Sequence, residues 1–166
     1  FDLMDEIADK LSLELSPVTW PVGMGGQFHG CFNLTTNDFH RVTKGDGTGY
    51  GDTVKLSGPD DPALDAEVNP AVLEDFRTQA ELASGAMPAV DMDAYREGHL
   101  SPVFFGSALR DFCVGDLLDG LAAWAPPPRP QPAGEETVDP NRDAVSALVF
   151  KVQANMDPKH RDRIAF

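Results

Sequence analysis

Five prolines within seven residues, in the run Pro126-Pro127-Pro128-Arg129-Pro130-Gln131-Pro132, constrain this chain more than any other feature. Each fixes its own φ, lacks an N–H and pushes the preceding residue out of the helical region, so neither a helix nor an inner strand can run across the stretch. An extended polyproline spacer is expected, dividing the chain into a long N-terminal part and a short C-terminal one. Pro127-Pro128-Arg129-Pro130 also fits a ligand for an SH3-type groove, but a stiff domain linker is the simpler reading.

Ahead of the prolines, Leu3, Met4, Ile7, Ala8 and Leu11 form a stripe among charged residues, the pattern of an amphipathic helix with one buried face that ends before Pro17. The chain then changes to short aromatic and β-branched runs at Val18-Thr19-Trp20, Phe28 to Leu34, Asp38 to Thr43 and Thr53 to Leu56. These are read as strands of a small antiparallel sheet, with turns at Gly23 to Gly26, Thr36-Asn37-Asp38 and Gly45 to Gly51. Asn69 as cap and Pro70 at the first helical position open a second helix, carrying Leu73, Phe76, Ala80 and Ala83 on one face, with Gly85 past its end. Asp91 caps a short third helix finishing near Gly98. Pro102-Val103-Phe104-Phe105, bounded by Gly106, reads as a strand buried on both faces of a parallel sheet, and a helix from about Val114 to Ala125 follows it. Beyond the prolines, Ala147 to Val152 and Arg163 to Phe166 are β-prone, with a turn at Asn155-Met156-Asp157-Pro158.

Composition narrows the class of protein. With 42% apolar and 24% charged residues the chain resembles ordinary folded domains, which disfavours wholesale disorder or a coiled coil. No apolar run approaches the about 18 to 20 residues of a membrane helix, and no signal peptide is visible. The formal charge is −14, which opposes binding to nucleic acid or an anionic membrane through the long-range field. The charge is unevenly placed, however: residues 1–140 carry 24 acids and 8 bases (net −16), residues 141–166 carry 3 acids and 5 bases (net +2). The two ends are expected to face different partners. Cys31 and Cys113 match no metal or redox spacing, and a reducing compartment is the default. The start at Phe1 and the apolar finish Ile164-Ala165-Phe166 suggest a piece of a longer protein.

Several residue groups invite a chemical reading. Gly45 to Gly51 lacks both the glycine spacing of a dinucleotide fingerprint and the lysine of a P-loop, so a hairpin turn is preferred. His29, Cys31 and His40 lack an evident fourth zinc ligand. Asn33-Leu34-Thr35 fits a glycosylation sequon, a pattern short enough to arise by chance. Asp60 with Asp61, and Asp91 with Asp93, are read as capping and solvated acids rather than catalytic pairs. Gly106-Ser107-Ala108 is more informative, because an apolar strand delivers it to the carboxyl edge of a parallel sheet, where ligands of open α/β folds bind. Small side chains there let backbone N–H groups approach a planar base or a phosphate; taken alone, tight packing explains the same residues.

Trp20-Pro21-Val22-Gly23, Pro102-Val103-Phe104-Phe105-Gly106-Ser107-Ala108-Leu109, Trp124-Ala125-Pro126 and above all the continuous run from Phe150 to Phe166 closely resemble bacterial peptide chain release factor three, a translational GTPase family. The resemblance runs from end to end. It is distinguished from elongation factor G by the stretch Asn155 to Arg163. The fold it implies is α/β: the C-terminal part of a translational GTPase domain with an inserted α+β subdomain, followed by the start of a β-barrel domain. Residues 1–13 would be a GTPase-domain helix, 14–99 the insert, 100–125 the last strand and helix of the GTPase domain, 126–145 the Pro-rich linker, and 146–166 the truncated opening of the barrel.

By this resemblance Ser107, Ala108 and Leu109 match the fifth guanine-nucleotide motif, with the Ala108 N–H reaching the guanine O6 and Ser107 shaping the pocket. No catalytic residue and no metal ligand is expected within these residues. The P-loop, the switches with the catalytic histidine and the Asn-Lys-x-Asp motif would precede Phe1, so GTP or GDP with magnesium belongs to the intact factor and the segment alone is expected to be inactive. The implied task is GTP hydrolysis on the ribosome to release class I release factors in translation termination, in the cytoplasm. The implied partners are ribosomal RNA, ribosomal stalk protein and class I release factors, with no membrane and no DNA. Lys159 and Arg161 are candidate ribosome contacts. Elongation factor G or a ribosomal protection relative is one alternative. An acidic protein-binding adaptor without nucleotide is another, although it leaves the α/β unit unexplained.

Overall fold

The computed structural model describes residues 1–42, 52–110, 112–154, 156, 159 and 162–166. The expected Gly45 to Gly51 turn therefore lies outside the described residues. The chain is mixed α/β and forms two compact units, Phe1–Ala125 and Pro126–Phe166.

The first unit opens with helix α1 (Asp2–Leu11), which stops at Ser12 in the left-handed region. Strand β1 (Glu14–Pro17) follows, and after it the chain enters a four-stranded antiparallel sheet of β2 (Thr19–Val22), β3 (Gly30–Asn33), β4 (Asp38–Arg41) and β5 (Thr53–Lys55), paired in that order. Helices α2 (Ala63–Glu67), α3 (Pro70–Ala86) and α4 (Met92–Glu97) come next. The chain then returns as β6 (Leu100–Val103), which pairs in parallel with β1, Glu14 opposite Leu100 and Pro17 opposite Val103. Helix α5 (Val114–Trp124) closes the unit.

Period-two alternation gives the four-stranded sheet two chemically different faces. Across the ladder Trp20 pairs with Phe32, Phe32 with Phe39 and Phe39 with Val54, so one row of the sheet is apolar from β2 to β5. Buried Leu73, Phe76, Ala80 and Ala83 of α3 join the same core, with the Phe32 and Phe76 rings 5.4 Å apart. The Trp20 indole N–H donates to Gln79 Oε1 at 3.1 Å, which satisfies the polar atom of a ring that is otherwise sealed in this core. The opposite row holds Cys31, His40 and Thr53 in register, with Thr19 opposite Asn33 on the same side.

Local signals set the helix starts. Asn69 accepts from the Ala71 N–H with Pro70 at the first position, and Asp91 accepts from the Asp93 and Ala94 N–H groups. Gly98, at φ 84°, ends α4. α3, by contrast, runs through Gly85 to Ala86, because Ala83 is buried against the sheet and accepts from the Met87 N–H.

Other expectations are corrected. β1 carries no strand signal of its own, since its partner lies far along the chain. The strand expected over Pro102 to Phe105 is placed two residues earlier, and only Leu100 of it is buried, because β1 is its single neighbour among the described residues. On α1 only Met4 is buried, while Leu3 is 70% and Leu11 62% exposed.

In the second unit the expected proline spacer contains a hairpin, β7 (Gln131–Ala133) with β8 (Glu136–Val138). Gly134 at φ 67°, followed by Glu135 without positive φ, gives the type II′ turn that suits a two-residue connection. Pro132 is tolerated because a two-stranded ladder leaves each strand an unpaired side. β9 (Val152–Ala154) and β10 (Arg163–Ala165) form a second antiparallel pair, continued by hydrogen bonds between Lys151 and Phe166. Among the described residues no barrel closes. No helix of the described residues is long and apolar enough to cross a membrane.

Phe32 is fully buried between β2, β4 and α3. Phe32→Ala should lower stability by about 3 to 5 kcal/mol, read as a fall in the denaturation midpoint without loss of the cooperative slope.

Candidate functional site

The polar face of the sheet meets the segment that joins β6 to α5. Thr19, fully buried, accepts from the Phe105 N–H at 2.7 Å and donates back to the Phe105 carbonyl at 3.3 Å. Cys31 Sγ approaches the same carbonyl at 3.5 Å. Phe105 is thereby held at the point where the chain leaves the strand and turns into Gly106-Ser107-Ala108-Leu109.

The loop closes on itself through two backbone hydrogen bonds, Ser107 N–H to Phe112 O at 2.8 Å and Phe112 N–H to Ser107 O at 3.0 Å. Gly106 is needed for this closure, since a Cβ there would stand 2.9 Å from the Phe112 carbonyl oxygen. A short 3-10 turn at Ala108–Arg110 follows. Ser107 is half-buried while Ala108 and Leu109 are exposed, Leu109 at 96%. Beyond the carboxyl end of β6 the loop thus exposes Ala108 and Leu109.

The far side of the loop is anchored through α5. Asp116 Oδ1 accepts from Asn33 Nδ2 at 3.1 Å and lies 3.1 Å from His40 Nε2, while His40 Nδ1 lies 3.0 Å from Thr53 Oγ1. The hydrogen bond to Asp116 raises the His40 pKa above its ordinary value, against the opposing effect of burial. Burial pushes the Asp116 carboxyl up, but the hydrogen bonds from His40 and Asn33 and the histidine charge outweigh it, leaving Asp116 below the usual carboxylate range. Beside them the Cys31 thiol is pushed far up, first by its hydrogen bond with Cys113 and then by burial. Further along α5, Gly120 lets the helix seat on the Phe104 ring; a Cβ there would lie 2.5 Å from that ring.

Of the residues singled out from sequence, Ser107, Ala108 and Leu109 stand together on this loop. Cys31 and His40 face each other across β3 and β4, but among the described residues no group of three or more His, Cys, Asp or Glu is arranged to hold a metal ion. Asn33 is buried and its Oδ1 accepts from Thr35 N, Thr35 Oγ1 and Thr36 N, so it organises the turn after β3. Asp61 accepts from Ser57 and Ala63 ahead of α2, which lowers its pKa. Lys159 is exposed, and Arg161 lies outside the described residues. Sequence reasoning missed Thr19, Asn33 and Asp116 as anchors, since a buried Thr or Asn in a strand and an Asp in a first helical turn are common for other reasons.

The loop exposes Ala108 and Leu109 and carries no bulky side chain among Gly106, Ser107 and Ala108. No family model matches the chain. A crystal structure of a protein from Thermus thermophilus is similar at 18% identity and a TM-score of 0.44; the match covers 75% of this chain and 20% of that one.

The His40–Asp116 pair makes stability depend on pH. The contribution of His40 is complete below its unfolded pKa of about 6.5 and is lost as pH rises through its higher folded value. A pH series of thermal midpoints should fall upward from about pH 6.5, and His40→Gln should flatten that fall relative to the parent chain.

Proposed function

We propose that this chain is a segment of a ribosome-dependent GTPase of the release factor three type, in which the Ser107–Leu109 loop carries the base-side contact to guanine nucleotide. The observation that carries the reading is the small-residue loop at the carboxyl end of β6, reached after the chain leaves a parallel pair at Pro17 and returns to it at Leu100. Ligands of open α/β sheets bind at that edge. Parallel strands are ordinarily covered on both faces and flanked by further strands. The exposed Leu3 and Leu11 of α1, and Leu117, Leu118 and Leu121 of α5, are apolar stripes suited to such packing in a larger sheet. The resemblance in Pro102 to Leu109 and in Phe150 to Phe166 supplies the family, and with it the proposed partners: ribosomal RNA, stalk protein and class I release factors.

GTP or GDP with magnesium is the cofactor of this reading. The Ala108 N–H would reach the base and Ser107 would shape its pocket, while phosphate and magnesium contacts would come from outside these residues. The decisive measurement is GTP hydrolysis by the full-length protein with and without ribosomes, together with release of a class I factor from terminated ribosomes. Ribosome-stimulated hydrolysis with that release supports the reading; stimulated hydrolysis with tRNA translocation instead assigns the chain to the elongation factor G type.

Three outcomes are expected. Residues 1–166 alone should show no GTP binding by calorimetry, since a micromolar dissociation constant would require phosphate contacts from outside the segment. In the intact protein Ala108→Val should weaken GDP binding by roughly five- to a hundredfold, the equivalent of about 1 to 3 kcal/mol of overpacking falling on the site. Replacing Lys159 and Arg161 together with Ala should lower ribosome affinity and flatten its salt dependence, with nucleotide affinity off the ribosome unchanged.

A further inference from the structure

The region behind the loop contains a feature that nucleotide binding does not use. Cys113 is the N-cap of α5, yet it makes no side-chain capping bond and sits at φ 52°, ψ 22°, in the left-handed region that L side chains rarely adopt. Glycine or asparagine would occupy that position with less strain. What the cysteine adds is a thiol, buried in the same cluster as a second one. Cys113 and Cys31 are 2% and 1% exposed, both are free, and they share one cluster with Phe112.

We propose that Cys31 and Cys113 are a disulfide-forming pair, a modification site that ties the middle of the four-stranded sheet to the start of α5 and locks the loop from Gly106 to Cys113. The oxidant is a low-molecular-weight disulfide such as oxidised glutathione. Cys113 attacks one of its sulfurs as the thiolate; the small S–S bond breaks, the first small thiol leaves and takes a proton, and a mixed disulfide remains on Cys113. Cys31 loses its proton to solvent and attacks the Cys113 sulfur, and the second small thiol leaves and is protonated. Two electrons and two protons pass from the pair to the small disulfide.

The order of attack follows from the surroundings. Cys31 lies in a central strand, buried beside Cys113 with its Sγ 3.5 Å from the Phe105 carbonyl, so it is held protonated while the loop is closed. Cys113 ends a loop closed by the two Ser107–Phe112 hydrogen bonds, so local opening there exposes it first. Burial of both thiols makes the reaction slow in the closed state, and the position of equilibrium is therefore the quantity to measure. In the nucleotide reading the same lock would hold Ser107 to Leu109 rigid. The chemistry of the pair does not rest on that reading.

The test uses the full 166-residue chain, held in glutathione buffers from reducing to oxidising and approached from both the reduced and the pre-oxidised protein. Free thiols are then blocked and peptides mapped without reduction. The expected result is one intramolecular cross-link between the Cys31 and Cys113 peptides, reversed by dithiothreitol, with amide exchange across residues 106–113 slowed by about tenfold or more in the oxidised form. Cys113→Gly and Cys31→Ser should lose the cross-link. Glutathione adducts without a cross-link, disulfide dimers, or thiols still reduced at equilibrium in the most oxidising buffer would each overturn the proposal. Mapping of the parent chain decides the matter even where a variant fails to fold.

Discussion

The register of β3 against its neighbours is the constraint on which the rest of the first unit depends. Phe32 stands opposite Trp20 and Phe39, and Cys31 stands opposite Pro21 and His40. A slip of one residue would turn Phe32 toward the β6–α5 segment and bring Cys31 and Asn33 against α3. The aromatic core would be lost, and so would the partners of Phe105 and Asp116. Gly30 helps to hold this register, because a Cβ there would come within 2.1 Å of the His40 carbonyl oxygen, and only glycine lets the strands approach so closely.

The same register makes the four-stranded sheet the support of the loop. Thr19 and Cys31 grip the chain at Phe105, before the loop, and Asn33 and His40 grip it at Asp116, after the loop. Both grips come from one face of one rigid sheet. A displacement of β2 to β5 would therefore be felt at each end of the loop together, and a change in the loop would be felt in the sheet. This is a physical route by which the sheet and the loop can bias one another, through two sets of direct hydrogen bonds rather than through a flexible tether.

The distribution of polar groups fits that role. The sheet faces α3 with apolar side chains whose fit resists change. Toward the loop and α5 it presents the His40 imidazole and the Cys31 thiol, which meet the Asp116 carboxylate and the Cys113 thiol of the opposing segment, groups whose bonding depends on protonation or oxidation state. Buried polar groups of this kind are costly when left unpaired. Here Asn33, His40 and Asp116 satisfy one another, so the interface is stable while its partners remain in the right ionic form.

Much of the local structure was legible in the sequence. Asn69-Pro70 and Asp91 mark helix starts through bonds to their own neighbours, and the strands β2 to β5 follow from aromatic and β-branched runs and from Gly and Asn turns, all short-range effects. The proline run marks the division between units, but the hairpin inside it is hidden because Pro132 discourages a strand that an edge position permits. β1 was not legible, since Glu14 to Pro17 become a strand only by pairing with Leu100 to Val103. The small-residue pattern after an apolar run singles out Gly106-Ser107-Ala108, and only the family resemblance extends the candidate site to Leu109. What only the tertiary structure decided is which residues stand behind them: nothing in the spacing of Thr19, Cys31, Asn33, His40, Cys113 and Asp116 brings them together. They meet because an antiparallel ladder sends alternate side chains to one face, and because that face packs on a segment more than seventy residues away in the chain.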